Sequence, residues 1–583
     1  MTPLQLFALR VNGLPEWQSW GCLLAVALVV ALSIATPAGS RRAASCKHCS
    51  ALMQWAARNR KAMVLFFFLL PIVMRLSLLP LLPPPVAVET DDFSYLLGAD
   101  TLMHLRLTNP PPPHPEFFEA EHINVLPTYE SMYPPGQAAF LALGKLLFRN
   151  AWAGVLISVG AMCAALYWAM VVLVPVQWAI FATALCALHF GIASEFTNSY
   201  MGGAVAAFAA ALLVGSLRRA ERLPRLWMYL LAALALLLLA NSRPYEGFLF
   251  AIIPCCVFLV HYWRHRHEWK HQLPALSAAV LVLLAGAIWM GYYNFRGTGH
   301  ALEMPYQANW KQYHITRLFL WQPRQEVPQF NHAQMRNNAI RWEYLRYLEL
   351  LRPGGFYRQE LEKIQMSYAY YLQGWGILAV LSLLAMLRSP KLRTYAGVLL
   401  LMALGAMALS WPVFPRYDSP ALVLFMVVLV HGLRRVGLAR LRMTGRTVEL
   451  GRALRPLAAT FISGVVLLNV ATAALSAPAG IASAGRATIA GDAAPDVQSI
   501  TRRYAIERQL EQMPGRHVVL VYYPPDSTLE AEWAYNSANI DAQKVIWALD
   551  MGAHDSVLMQ QYPDREFWTV NETDPLGRLR RVK

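Results

Sequence analysis

Long apolar runs constrain this chain of 583 residues most. Twelve of them cover residues 21–38, 62–84, 151–173, 176–191, 200–216, 226–241, 247–262, 275–293, 369–387, 394–411, 419–433 and 457–475. A bilayer core is about 30 Å thick, so a helix crosses it with roughly 17–25 apolar residues. Several runs are apolar on every side, which suits a bundle in lipid. The pattern predicts an all-α polytopic membrane protein of about 12 spans. The stretch Gly136 to Phe148 is short and ends in Lys145 and Arg149, and reads as an interfacial helix.

Composition agrees, with one tension. Apolar residues make up 56% and charged residues only 15% of the chain, yet its net charge is +16. Soluble domains are nearer a quarter charged. An ordinary cytosolic enzyme, a disordered tail and a collagen-like fibre are excluded. Nucleic-acid binding would need the bases on a polar face. Instead, loops 39–61, 217–226, 263–272, 388–393 and 434–456 hold 23 of the 51 bases and three of the 35 acids. These loops alternate with the spans, so all five can lie on the cytoplasmic side. The basicity is a topology signal. The other side receives the N-terminus, loop 85–150, turns 192–199, 242–246 and 412–418, loop 294–368 and the tail from 476.

Three regions follow. Residues 1–61 form an accessory helix, with 21–38 read as an uncleaved signal-like or spanning segment, and a cytoplasmic loop. Residues 62–476 form the membrane core, and 477–583 a linker and a small C-terminal α/β extracytoplasmic domain. Residues 477–500, rich in Ala, Gly and Ser, read as the linker. Beyond it the pattern predicts a helix over 498–513, strands over 517–523, 544–549 and 566–570, and a helix over 555–561. None of the seven cysteines falls in a large external segment, so no disulfide framework is implied. Cys46 and Cys49 form a C-x-x-C without a second ligand pair, and read as reduced thiols.

The chemistry concentrates in the first external loop. Glu89, Asp91 and Asp92 fall within four positions just beyond the second span. Crowded carboxylates suit a general base or a divalent-cation site, and a solvated acidic loop is the bland alternative. Proline-rich segments then lead to Tyr133-Pro134-Pro135-Gly136 and the interfacial helix. Proline at a first helical turn is pre-organised for it.

An acidic pair after an early span, followed by Tyr-Pro-Pro-Gly and an apolar helix, resembles the glycosyltransferase-C superfamily. It is most similar to family 39, the protein O-mannosyltransferase and aminoarabinose-transferase type. The resemblance covers about residues 60–435, leaving out the first span and the tail. That family often shows Asp-Glu with a Tyr a few positions on, whereas this chain has Asp91-Asp92 with Tyr95. The resemblance implies a multispanning enzyme that takes sugar from a polyprenyl-phosphate donor on the extracytoplasmic side. It implies Asp91 and Asp92 as the catalytic pair. Glu195, beside Asn198, is the second acid often found on a later turn, and Arg416-Tyr417 matches a late Arg-Tyr pair. Arg243, Arg296 and Arg416 are candidate phosphate contacts, and His300 a further one. Glu89, Tyr95 and Tyr133 complete the expected substrate site. If a divalent cation (Mg or Mn) takes part, Asp91, Asp92 and Glu195 are its candidate ligands.

The expected reaction is one inverting displacement. Asp91 takes the proton of an acceptor hydroxyl and an arginine offsets the charge on the lipid phosphate. Donor, membrane lipid and an acceptor protein, lipid or glycan are the partners, with no nucleic acid. Usage of Ala, Leu and Arg suggests a bacterial inner membrane, with the site and tail periplasmic. A transporter or flippase is the alternative, disfavoured because the spans carry almost no charge apart from Arg75; a non-catalytic scaffold is another.

Overall fold

The computed structural model describes residues 54–80, 83–192, 194–264, 269–323, 325–371, 390–410, 415–436, 440–443, 446–449, 494–527 and 532–582. The expected spans 21–38 and 457–475, most of 369–387 and the Cys46/Cys49 pair lie outside them.

The chain is mostly helical, with a small sheet near its C-terminus. The bundle comprises α1 (Arg60–Ser77), α2 (Thr90–Met103), α3 (Pro135–Phe148), α4 (Ala151–Leu173), α5 (Val176–Phe190), α6 (Gly203–Ala220), α7 (Leu226–Ala240), α8 (Pro244–Arg264) and α9 (Trp269–Thr298). It continues through α10 (Pro305–Tyr313), α11 (Gly355–Tyr371), α12 (Pro390–Met407) and α13 (Leu422–Val436). Among the described residues, α4, α6, α8 and the stretch His271–Thr298 of α9 are long and apolar enough to cross a membrane. Val176–Phe190, Leu226–Ala240 and Arg393–Met407 are apolar but shorter. Helices α4 and α6 are the buried heart of the bundle, rich in Ala and Gly, and pack on each other. Helix α9 leaves Leu281, Leu284 and Ile288 exposed. A continuous apolar face of this kind is untenable in water and natural against lipid.

The structure redraws several sequence boundaries. Helix α1 ends at Ser77, short of the expected 84, and α8 and α9 run beyond their expected ends. The first external loop is not simply extended: residues 90–103 are helical, and β1 (Ile123–Asn124) pairs antiparallel with β2 (Glu130–Ser131). Loop 294–368 is largely helical, and loop 434–456 contains a hairpin of β3 (Arg440–Met443) and β4 (Arg446–Glu449).

In the C-terminal part, α14 (Ala494–Gln512) starts inside the expected linker. Strands β5 (His517–Tyr522), β6 (Val545–Leu549), β7 (Glu566–Asn571) and β8 (Arg580–Arg581) form one sheet, with α15 (Asp555–Gln561) before β7. The order is β6-β5-β7-β8, with β6 and β7 parallel to β5 and β8 antiparallel. This unit shares its core with α2 and the loop beside it. Phe93 packs on Tyr535 at 4.6 Å, and the Tyr129 hydroxyl donates to Asn536 O at 3.0 Å. Asp100 accepts from Ala538 N at 2.9 Å and from Lys145 Nζ of α3 at 3.2 Å.

One carboxylate thus ties α2, α3 and the C-terminal sheet together. Asp100→Ala is expected to destabilise the fold by about 1–3 kcal/mol, the range for unsatisfied buried hydrogen-bond partners. Thermal unfolding of the purified protein checks it.

Candidate active site

Helix α2 starts where three acids crowd, for a physical reason. Carboxylates are favourable at a helix N-terminus, where N–H groups lack partners. Glu89 is the extended residue before the helix. Asp92 reaches back so that its Oδ2 accepts from Val88 N at 3.2 Å, and its Oδ1 accepts from Tyr200 N at 2.9 Å. Asp92 therefore ties the segment before α2 to the chain before α6. Asp91 and Asp92, expected as a catalytic pair, engage different partners.

Asp91 enters the site. Arg416, on the 3-10 turn Pro415–Ala421, donates Nη2 to Asp91 Oδ2 at 2.7 Å and Nη1 to Glu195 Oε1 at 2.9 Å. These residues lie 325 and 221 positions apart in the chain. Asp91 Oδ1 also accepts from the Tyr133 hydroxyl and lies 2.9 Å from His122 Nδ1. Burial alone would raise the Asp91 pKa. The charges of His122 and Arg416, with hydrogen bonds from His122 and Tyr133, outweigh it and hold the carboxyl well below the usual range. Burial opposes charge on Arg416 too, but Glu195 and Asp91 hold its pKa well above the ordinary value. Glu89 lies near enough to add to that effect.

The Tyr-Pro-Pro-Gly motif acquires a role at each end. Tyr133 caps Asp91 and stacks on Tyr95 with centroids 4.4 Å apart. Pro135 starts α3. Gly136 N donates to Asn241 O at 2.6 Å, and a Cβ on Gly136 would sit 2.4 Å from that oxygen. Only glycine lets the turn after α7 approach so closely, and that turn carries Arg243. Arg243 is buried with its guanidinium 4.5 Å from the Tyr417 ring centroid, and its Nε has no hydrogen-bond partner among the described residues. Tyr417 also lies 5.4 Å from the Arg416 guanidinium.

Three expected site residues are not brought to this cluster. Asn198 uses Oδ1 to accept from Arg75 Nε at 3.1 Å and Nδ2 to donate to Ile192 O and Ser194 O. It is a bracket for Arg75. Arg296 is exposed on α9 and reaches Tyr292 of the same helix, and His300 is exposed in the turn that follows. The continuation of α9 to Thr298 points this region to the surface.

The expected cation ligands do not fit an ion. Arg416 sits between Asp91 and Glu195, and both Asp92 oxygens accept from backbone N–H groups. Among the described residues, no three His, Cys, Asp or Glu side chains are grouped to hold a metal.

His122 is the site residue that sequence reasoning passed over. It is one of three histidines in loop 85–150, with no spacing that relates it to Asp91. The hairpin of β1 and β2 delivers it. Behind it His314 stacks at 6.4 Å, then Trp310 on His314 at 3.8 Å and Tyr306 on Trp310 at 5.7 Å. Helix α10 and the residue after it thereby cover the cluster behind His122.

No family model and no curated protein match the chain. Among solved structures it is similar to ArnT from Cupriavidus metallidurans in the apo state, at 14% identity over 89% of this chain and 93% of that one, with a TM-score of 0.44. It is also similar to the Archaeoglobus fulgidus oligosaccharyltransferase in the apo form, at 12% identity over 79% of this chain and 62% of that one, with a TM-score of 0.35. The archaeal AglB complex with an inhibitory peptide and a dolichol-phosphate gives 11% identity over 88% and 70%, with a TM-score of 0.37.

Removing Arg416 takes the shared cation from the buried Asp91 and the half-buried Glu195. Arg416→Ala is expected to destabilise the protein by about 3–5 kcal/mol near neutral pH. In the wild type the Asp91 contribution is fully present above the unfolded carboxyl pKa of about 4 and is lost as pH falls through the lower folded value. The deficit of the variant therefore shrinks on acidification. Unfolding curves of both proteins from pH 8 down to about pH 2 check the sign.

Proposed function

We propose that this protein is an integral membrane glycosyltransferase. It moves a sugar from a polyprenyl-phosphate-linked donor to an acceptor hydroxyl on the extracytoplasmic face, with inversion at the anomeric carbon. The observation that carries the reading is the division of the cluster into two chemical sides. Asp91 and His122 supply the side that handles a proton. Arg243, with Nε unpartnered beside Tyr417, supplies the side that meets an anion. A lipid phosphate leaving with growing negative charge is stabilised by a preorganised guanidinium. Such a leaving group needs no protonation, so the carboxylate spacing rules of glycosidases do not apply.

The surroundings support the same reading. Exposed apolar faces on α8 and α9 suit a bilayer that also holds an isoprenoid chain. The first external loop and α10 cover the cluster and limit access of water, which would otherwise compete as acceptor. Arg75 in α1 is engaged by Asn198 and the Pro83 carbonyl, a bracing role that offers no ion path for a transporter. We place the protein in a bacterial inner membrane, with the site and C-terminal domain in the periplasm.

The test is sugar release from labelled polyprenyl-phosphate sugars by the purified full-length protein in lipid nanodiscs. Asp91→Asn and Arg243→Ala are each expected to lower turnover by at least about 100-fold, the scale of a lost electrostatic contact to a transition state. Turnover by Asp91→Asn equal to the wild type would overturn the assignment.

A further inference from the structure

The bonds made to Asp91 argue against that carboxylate as the final proton acceptor. Its Oδ1 meets both Tyr133 and His122, and its Oδ2 meets a guanidinium. A carboxylate satisfied by three donors is a weak base, and general-base catalysis follows basicity. The hydrogen-bond geometry identifies a better one beside it.

His122 Nδ1 lies 2.9 Å from Asp91 Oδ1 and 2.8 Å from Thr90 Oγ1. The Thr90 hydroxyl can donate or accept, whereas an ionised carboxylate only accepts, so the tautomer that suits Asp91 carries its hydrogen on Nδ1. In the neutral ring the lone pair then resides on Nε2. That nitrogen has no hydrogen-bond partner among the described residues, and the His122 side chain keeps 17% of its surface. The ring is also rigidly placed. Its backbone is left-handed, with φ of 63°, an uncommon conformation for a non-glycine residue. The His122 carbonyl is fastened by Ser94 Oγ at 2.7 Å and Met132 N at 3.2 Å, and the Tyr133 ring meets the imidazole edge-on at 5.9 Å.

Resting on the transferase reading above, we infer that His122 Nε2, oriented by Asp91 through Nδ1, takes the proton of the acceptor hydroxyl. The hydroxyl oxygen bonds to the anomeric carbon as the bond from that carbon to the phosphate oxygen breaks. The electron pair leaves with the lipid phosphate toward Arg243. The hydroxyl proton goes to Nε2, and the anion of Asp91 stabilises the resulting imidazolium. This is the division of labour in which a buried carboxylate sets the tautomer of a histidine and does not itself take the proton.

The groups facing His122 set its pH range. Burial and Arg416 disfavour its charged form, while Asp91 and Glu121 favour it and prevail, so its pKa is raised above 6.5. Tyr133 and His314 complete its surroundings, with His314 Nδ1 directed to Glu343 at 3.2 Å. The neutral, proton-accepting ring is therefore populated only as pH rises past that raised value.

Two measurements on the full-length protein in nanodiscs test the assignment. The first is the pH dependence of diethyl pyrocarbonate modification at His122, mapped by mass spectrometry. This reagent acylates an unprotonated ring nitrogen. Modification is expected with a midpoint above 6.5 that falls in Asp91→Asn; an unreactive His122, or a midpoint unmoved by Asp91→Asn, overturns the pairing. The second is transfer from labelled polyprenyl-phosphate sugars by wild type and His122→Asn. Asparagine tolerates the left-handed backbone and still donates to Asp91, but it cannot accept the proton. A loss of about 100-fold or more is expected, with the acid limb of the wild-type profile in the histidine range. A wild type that transfers while His122→Asn keeps more than about a tenth of its rate, or whose acid limb lies near pH 4, overturns the histidine assignment alone. A wild type that discharges none of the donors overturns the transferase reading and this step with it, whatever the modification result.

Discussion

The molecule depends on a guanidinium held between two carboxylates. Arg416 is buried and its charge is matched by Asp91 and Glu195, while Asp91 is buried with Arg416 as its charged partner and Tyr133 and His122 beside it. Charges taken out of water are tolerated only when paired and hydrogen-bonded. The constraint is also geometric. The pair of bonds joins the 3-10 turn before α13, the start of α2 and the one-turn helix Glu195–Asn198 at one point. Helix α2 is held from its other side by Asp100 and Phe93 against the C-terminal domain. The site is therefore braced from the bundle and from the tail at once.

The same bridge separates two electrostatic jobs. On one flank, Tyr133, His122 and Arg416 converge on Asp91 and keep it ionised. On the other, Arg243 lies over Tyr417 with a donor left over. Gly136 lets the Asn241 turn, which leads to Arg243, come within hydrogen-bond distance of α3. Cluster acidity alone was a poor guide to role. Of three neighbouring acids, Asp91 holds Arg416 and orients His122 in the chemistry proposed, Asp92 tethers two backbone segments, and Glu89 precedes the helix near Arg416.

Much of the architecture was legible from composition and period. The apolar runs marked most of the described bundle helices, since lipid-facing and core-facing positions both demand apolar side chains. In the C-terminal domain the expected helix over 555–561 matches α15, and the three expected strands match β5, β6 and β7 within a residue or so. Alternation of short buried strands with turn residues is a local signal. The antiparallel strand β8, two residues of a basic tail, carries no such signal. Helix α2 was hidden because its acids read as a loop, although acids at a helix start are what the backbone dipole favours.

The sequence by itself determined which segments are greasy enough to pack in a bilayer, which loops are basic, and which short motifs are candidates for chemistry. These follow from the composition of neighbouring residues. Tertiary structure alone decided which candidates meet. Asp91, Glu195, Arg243 and Arg416 come together because their turns close on the same end of the bundle. Arg296, His300 and Asn198 do not join them, because a helix runs on to Thr298 and because Arg75 claims the asparagine. His122 was legible to neither composition nor spacing. Its place at the carboxylate depends on a two-stranded hairpin and a left-handed backbone, held by Ser94 and Met132. Contacts between distant parts of a chain leave no period behind, so only the folded structure reveals them.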